Sequence, residues 1–289
     1  MLTEDIKNVL TFAAFKPVPD DPETPWGKRF AGRRSLLLNI SRNHVTWRAL
    51  NKRGRLQDSG MQEGEFADVV ASRAEEWRSL TEGGWCSISL NNRFIISLET
   101  NLSRCENFTE MLRLNPKTVL GGKFDRSKRY ALYHHADTPA SVLMACDDSL
   151  VKTVEDTLRA NNLKAGRMCC GLFALLEEKL REIHEGGRPE AKGSYLLIVC
   201  CEGSVAALVQ QAGQWTDLRS RSGVGTETVE PVLQIVSPLV SKIAEGTPVF
   251  FAHDGNDQAF AGAMMEELSK IGAKDITTED QLWKTIGQN

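Results

Sequence analysis

Long apolar runs broken by short polar turns recur twice along this chain. Over 195–201 the sequence YLLIVCC is continuously apolar, which predicts a strand covered on both faces. Glu202-Gly203-Ser204 punctuates it, a second β-rich run follows over 205–210, and Ala212-Gly213 turns the chain again. The same layout stands earlier as SLLLNISRNHVTWRALNKRGRLQDSG. There Ser35, Gly54 and Asp58 hold the places that Ser194, Gly213 and Asp217 hold in the later copy. A repeat of that size predicts two lobes of related fold, since stacked-repeat proteins have periods of only about 20–50 residues.

Between and after the repeats the period lengthens to that of helices. Phe66, Val69, Val70, Ala74, Trp77 and Leu80 share one face, and Gly83-Gly84 ends that helix. Residues 85–90 alternate Trp85, Ser87 and Ser89 against Cys86, Ile88 and Leu90, a strand with one polar side. Asn91-Asn92 then predicts a hairpin into 94–98. The stretch 99–165 breaks the pattern and reads as an inserted subdomain: a short helix over 106–114, strands over 130–135 and 141–146, and a helix carrying Leu150, Val151, Val154 and Leu158. That last helix starts at Asp147, Asp148 or Ser149 and closes at Asn161-Asn162. The chain returns through 166–170 and a helix with Leu172, Leu175, Leu176, Leu180 and Ile183 inward. Gly186-Gly187-Arg188-Pro189 marks a boundary. Beyond it come the second hairpin, a helix capped near Thr226 or Thr228, a buried strand over 248–252, a helix capped by Asp257, a short strand over 274–277 and a polar tail. The expected layout is an arm over 1–33, a first lobe over 34–188 containing the 99–165 insertion, and a second lobe over 189–289.

Composition narrows the function classes. At 289 residues with 41% hydrophobic and 25% charged residues, the chain is an ordinary globular protein with room for two cores. A net charge of −3 gives no footprint for nucleic acid or an anionic membrane. No apolar run approaches the roughly 20 residues of a helical membrane span, and no signal core follows the N-terminus, so a cytoplasmic protein is expected. The seven cysteines include no C-x-x-C and mostly sit in apolar runs, as buried reduced thiols do. P-loop, zinc-protease and nucleophile-elbow motifs are absent. His134-His135 at a strand end has opposed side chains, and His253-Asp254 lacks a nucleophile at readable spacing and reads as a loop pair.

Two copies of strand-turn-strand-strand-helix with a subdomain inserted in the first resemble the actin-like (sugar kinase/Hsp70/actin) architecture. The fold so implied is α/β, a two-lobed actin-like (RNase H-like) fold with a small α/β insertion subdomain in the first lobe. Within it, the stretches LLLNISRNHV, SVLMACDDSLVKTVEDTLRANNLKAGRMCCGLFALLEE, LLIVCCEGSVAALVQQAGQW and VFFAHDGNDQAFAGAMMEEL are similar to PilM-type proteins of type IV pilus assembly. They are equally similar to the cytoplasmic part of GspL-type proteins of type II secretion.

ATP-binding members of that architecture begin each hairpin Asp-Ile-Gly, an aspartate for Mg²⁺ and water and small residues that bring backbone N–H groups to phosphate. Here the copies read Asn39-Ile40-Ser41-Arg42-Asn43-His44 and Ile198-Val199-Cys200-Cys201-Glu202-Gly203. The late glycine motif is reduced to Gly255. Asn39 lacks the charge that Mg²⁺ favours. The resemblance therefore implies a scaffold without catalytic residues, cofactor or metal, cytoplasmic and held at the inner membrane through a membrane-anchored partner's cytoplasmic tail, with self-association left open. The alternative is an ATP-binding protein or ATPase, with ATP and Mg²⁺ at Asn39, Ser41, Asn43, Gly203 and Gly255; a small-molecule enzyme using the cleft is a third class. PilM-type proteins hold such a tail in a groove beside the inserted subdomain, which here offers Phe108, Met111, Leu112, Tyr130, Leu132 and Tyr133.

Overall fold

The computed structural model describes residues 26–101, 111, 114–134, 140–185 and 193–288. Most of the expected N-terminal arm and the boundary at Gly186-Gly187-Arg188-Pro189 lie outside the described residues. At the arm's end, α1 (Trp26–Arg29) is a single turn. Arg29 is buried there and donates to the Gly166 carbonyl at 2.8 Å, while Phe30 meets Trp85 edge-on.

The repeat emerges as two five-stranded mixed sheets of identical topology. Strands β1 (Ser35–Ile40), β2 (His44–Leu50), β3 (Leu56–Glu63), β4 (Trp85–Leu90) and β8 (Lys164–Cys170) form the first, in the order β3-β2-β1-β4-β8. Strands β9 (Tyr195–Cys201), β10 (Ser204–Gln211), β11 (Gln214–Arg221), β12 (Val249–His253) and β13 (Ala273–Asp275) form the second, in the order β11-β10-β9-β12-β13. In each sheet the leading strand pairs antiparallel with its hairpin partner and parallel with the later strand. Both leading strands are buried along their whole length, as their unbroken apolar runs require. The likeness extends to a defect. A bulge opposite Ala49/Leu50 places an extra residue just before Asp58, and one opposite Val209/Gln210 does the same before Asp217.

Each core follows from the apolar face of its helices. In the first sheet, α2 (Phe66–Leu80) buries Val69, Val70, Ala74 and Trp77. Trp77 meets the Trp47 ring at 5.5 Å, the Arg73 guanidinium lies 5.1 Å from that ring, and Trp47 Nε1 donates to Asp58 at 2.9 Å. In the second, α6 (Glu230–Val240) and α7 (Gln258–Ser269) bring Val232, Val236, Leu239, Phe260, Met264 and Leu268 onto Ile198, Val205 and Phe251. The helix α5 (Gly171–Glu185) lies against β9 and β10. There Lys179 is fully buried; its ammonium donates to Glu182 at 2.7 Å and to the Ile276 carbonyl at 2.6 Å. Burial pulls the Lys179 pKa down and Glu182 opposes that.

A three-stranded antiparallel sheet, order β5-β7-β6, is built from β5 (Ile95–Asn101), β6 (Lys128–His134) and β7 (Ala140–Asp147), with the short helix α3 (Pro116–Leu120) on it. Val119, Leu120 and Tyr130 pack on Leu143. The helix α4 (Asp148–Ala160) then leads into β8. By contacts the chain falls into two compact units, one of the segments up to Asn91, Leu150–Cys170 and from Trp283, the other of Asn92–Ser149 and Gly171–Leu282.

Four local expectations are corrected. β4 and β5 form no hairpin: Asn91 donates its N–H to Ile40, Asn92–Phe94 make one 3₁₀ turn, and β5 pairs with β7 instead. The serines of β4 do not face water, since Ser87 and Ser89 are fully buried. The polar tail is a helix, α8 (Gln281–Gln288). Its Ile286 carbonyl accepts from Ser87 Oγ at 2.9 Å, and its Trp283 lies under the Arg48 guanidinium. The helix α6 also starts later than expected, with Val229 at its cap position and no side-chain cap bond.

A Cβ on Gly60 would lie 2.3 Å from the Trp47 ring, which Trp77, Arg73 and Asp58 hold in place. Gly60→Ala is expected to lower unfolding free energy by about 1–3 kcal/mol. Gly262, on an exposed face of α7 with open space around it, is expected to gain about 0.5–1 kcal/mol as Gly262→Ala. Urea denaturation of the two variants checks both signs.

Candidate functional site

The five positions expected to meet a nucleotide fall in two groups, one in each compact unit. Asn39 is buried in β1 between Thr46 of β2 and Ser89 of β4. At the turn that follows, Ser41 N–H donates to the His44 carbonyl at 3.0 Å, and the Asn91 amide donates to Ser41 Oγ at 3.4 Å. The Asn43 carbonyl accepts from Gly64 N–H at 2.8 Å, and its side-chain oxygen lies 3.1 Å from His44 Nδ1. Hydrogen bonds within the first lobe thus tie Ser41 and Asn43 into its own turns, and no carboxylate stands in the turn itself.

The second group is built by two consecutive left-handed residues. Glu202 (φ 48°) and Gly203 (φ 67°) make the tight reversal from β9 into β10, the geometry of a primed hairpin turn. Such a turn leaves the Glu202 N–H unused by the ladder, and it donates to Asp254 Oδ2 at 2.7 Å. Asp254 follows β12, which runs parallel beside β9, so both turns lie at the same end of the sheet. The other Asp254 oxygen accepts from Asn256 N–H at 3.0 Å. His253 is buried against Phe251, and its Nδ1 accepts from Gly255 N–H at 3.0 Å, which places the ring proton on Nε2. His253 therefore serves the backbone of its own turn, and Asp254 serves both that turn and the neighbouring β9–β10 turn.

Two further donors at this end are also engaged. Gly225 N–H reaches the Gly203 carbonyl at 3.3 Å, and a Cβ on Gly203 would lie 3.4 Å from Gly225 Cα, so the 223–225 turn sits on the hairpin turn. Asp257 caps α7 by accepting from Phe260 N–H at 2.9 Å, and that bond holds its carboxyl below the usual range. The positive end of α7 is already met by a carboxylate. Among the described residues no cluster of three or more His, Cys, Asp or Glu is arranged to hold a metal. Of the thiols in these sheets Cys86, Cys170, Cys200 and Cys201 are buried and Cys169 is half-buried; desolvation pushes Cys86 up to about 12 and raises Cys200 as well.

Of the expected partner-binding residues, Phe108 and Leu112 lie outside the described residues. Met111 is 42% exposed. Tyr130 serves the subdomain itself, packed on Leu143 and beside Phe124, its hydroxyl accepting from Asp125 N–H at 2.7 Å. Leu132 and Tyr133 lie on β6, an outer strand of the small sheet, paired with β7 opposite Leu143 and Val142. The role of Asp254 escaped sequence reading, although an acidic residue directly after a buried strand was its visible signal.

Removing that carboxylate strands the Glu202 N–H in a left-handed turn. Asp254→Ala is expected to cost about 1–2 kcal/mol of stability by urea denaturation, while Asp254→Asn, which keeps an acceptor, recovers most of it. An unchanged Asp254→Ala would contradict this role.

No protein-family model matches the sequence, and no curated protein does. Solved structures do. A protein of actin-like ATPase fold and unknown function from Bacteroides thetaiotaomicron overlays at a TM-score of 0.57 and 11% identity, covering 89% of this chain and 96% of that one. A PilM-PilN type IV pilus biogenesis complex overlays at 0.51 and 12% identity, covering 87% and 89%. The cytoplasmic domain of EpsL, an inner-membrane component of the type II secretion system of Vibrio cholerae, reaches 0.49 at 11% identity, covering 88% and 94%. At these identities the likeness is one of fold, and that fold is actin-like, with two mixed five-stranded sheets plus a small antiparallel sheet.

Proposed function

We propose that this chain is a non-catalytic actin-like scaffold of a type IV pilus or type II secretion-like assembly platform, one that binds the cytoplasmic part of a membrane component. The observation that carries this reading is the Asp254 carboxylate on the Glu202 N–H. In ATP-binding proteins of this architecture the hairpin turns offer backbone donors to phosphate. Here a fixed internal anion takes that donor, and like-charge repulsion disfavours a phosphate beside it. Asn39 and Ile198 supply no carboxylate for Mg²⁺ where the aspartates of such proteins stand. A buried leading strand and an intact hairpin persist in both lobes, so the fold is kept for its surfaces.

The PilM-PilN overlay and the outer strand β6 support the partner reading. A tail of a membrane-anchored protein, held at the cytoplasmic face of the inner membrane, would add as a strand to the outer edge of β6. Main-chain bonds would supply affinity and side chains near Met111, Leu132 and Tyr133 would supply selectivity. Among the described residues no helix is long and apolar enough to cross a membrane.

Two experiments test the proposal. Millimolar ATP with Mg²⁺ is expected to leave the melting temperature unchanged, because a ligand stabilises only above its dissociation constant. A Mg²⁺-dependent rise abolished by Asn39→Ala would transfer the assignment to the ATP-binding alternative. In pull-downs from the native membrane fraction, Met111→Asp and Tyr133→Ala are expected to lose a membrane protein that the wild type retains, at unchanged melting temperature. Equal recovery by all three would remove β6 as the docking edge.

A further inference from the structure

Strand β3 (Leu56–Glu63) stands outside both functional readings. It is the outermost strand of the first sheet, and among the described residues it pairs with β2 alone. Leu56 is 52% exposed and Met61 62%. An edge strand presents alternate N–H and C=O groups outward, and proteins ordinarily protect such edges with lysine, proline, bulges, inward-pointing charges or a covering element. LQDSGMQE contains neither lysine nor proline. Its one bulge and its inward-turned charge, Asp58 on Trp47, are both confined to the start, leaving Ser59–Glu63 in regular register with Arg48–His44 and without either device.

The internal repeat supplies the comparison. In the second lobe β11 holds the same place, and there β5 and β7 lie against it. Ser97 Oγ and Ser220 Oγ are 2.7 Å apart, and Asn92 donates to Ser222 Oγ at 3.1 Å. The strand also carries Arg219 and Arg221, and its Asp217 is paired with Lys242. One edge of the repeated sheet is thus covered from within the chain, while its twin keeps exposed apolar side chains.

Charge order indicates what covers the twin. Arg55 immediately precedes β3, and Glu63 and Glu65 stand at its far end. All three are exposed, and none makes an ion pair among the described residues. When two such strands meet antiparallel across a two-fold axis, the basic end of each lies against the acidic end of the other, with Leu56 brought toward the Met61 of the second copy. A strand that is cationic at one end, anionic at the other and apolar at both Leu56 and Met61 is complementary to itself.

We propose that β3 is a self-association edge, through which two copies of this chain pair their first-lobe sheets into one continuous sheet. The interface is isologous and independent of whether a membrane-protein tail binds β6.

Sedimentation equilibrium of the full chain over a concentration series tests it. Wild type is expected to show a reversible monomer–dimer equilibrium. Arg55→Glu and Glu63→Arg, both at exposed positions, are each expected to weaken dimerisation roughly tenfold by setting like charges opposite one another. Unchanged melting temperatures would confirm that both variants fold. An equimolar mixture of the two variants, and the double variant by itself, are expected to restore association, since each arrangement again opposes unlike charges. A wild type that stays monomeric throughout overturns the proposal and leaves the edge to a strand from another protein. A dimer indifferent to both swaps overturns it equally, by locating the interface elsewhere.

Discussion

Two left-handed residues in succession, Glu202 and Gly203, reverse the chain at the end of β9, and the N–H they turn out of the ladder needs an acceptor. Asp254 provides it from the neighbouring parallel strand, which fixes the hairpin turn to the end of β12. The 223–225 turn then closes over Gly203, whose φ of 67° is the left-handed conformation that favours glycine. The arrangement at this end of the second sheet follows from satisfying backbone groups in a confined space. It also has a chemical consequence. At this end of the sheet the Glu202 N–H is met by a carboxylate, the Gly255 N–H by a histidine nitrogen and the Gly225 N–H by the Gly203 carbonyl, so all three donors are engaged within the lobe.

The two lobes reach the same topology with different cores. In the second, α6 and α7 fill one face with aliphatic and aromatic side chains. In the first, a single Trp47 fills the space between β3 and α2, which is why Gly60 sits directly beneath its ring. The repeated bulge before Asp58 and Asp217 shows how such differences are absorbed. The backbone irregularity is kept, while Asp58 meets an indole and Asp217 meets Lys242. Edges diverge as well: β11 is overlaid by the small sheet, while among the described residues β3 pairs with β2 alone.

What sequence reading recovers here is governed by locality. The hairpins and helix faces depend on periods of two and 3.6 residues. The close of α4 at Asn161-Asn162 was legible too. Asn162 takes φ 56°, Leu163 N–H reaches the Leu158 carbonyl and Asn162 N–H the Arg159 carbonyl, a Schellman ending written in adjacent residues. The Asp257 cap is of the same kind. The failures needed distant partners. Asn91-Asn92 has hairpin chemistry, yet the Asn91 N–H finds Ile40 and β5 finds β7. Ser87 looks like a solvent-facing residue until the Ile286 carbonyl arrives 199 positions later along the chain. For the site, the loss of the Asp-Ile-Gly pattern was plain in the letters. The Asp254 carboxylate on the Glu202 N–H was not, because it joins positions 52 apart through a sheet pairing.

The central claim is that the Glu202 donor is taken by the protein's own carboxylate and is closed to nucleotide. The most direct measurement follows the backbone amide resonances of Glu202 and Gly203 in ¹⁵N-labelled protein as Mg²⁺-ATP is titrated in. The account predicts that both resonances stay fixed in the wild type through millimolar nucleotide. A saturable shift of either amide, with the Asp254 contact intact, would contradict it.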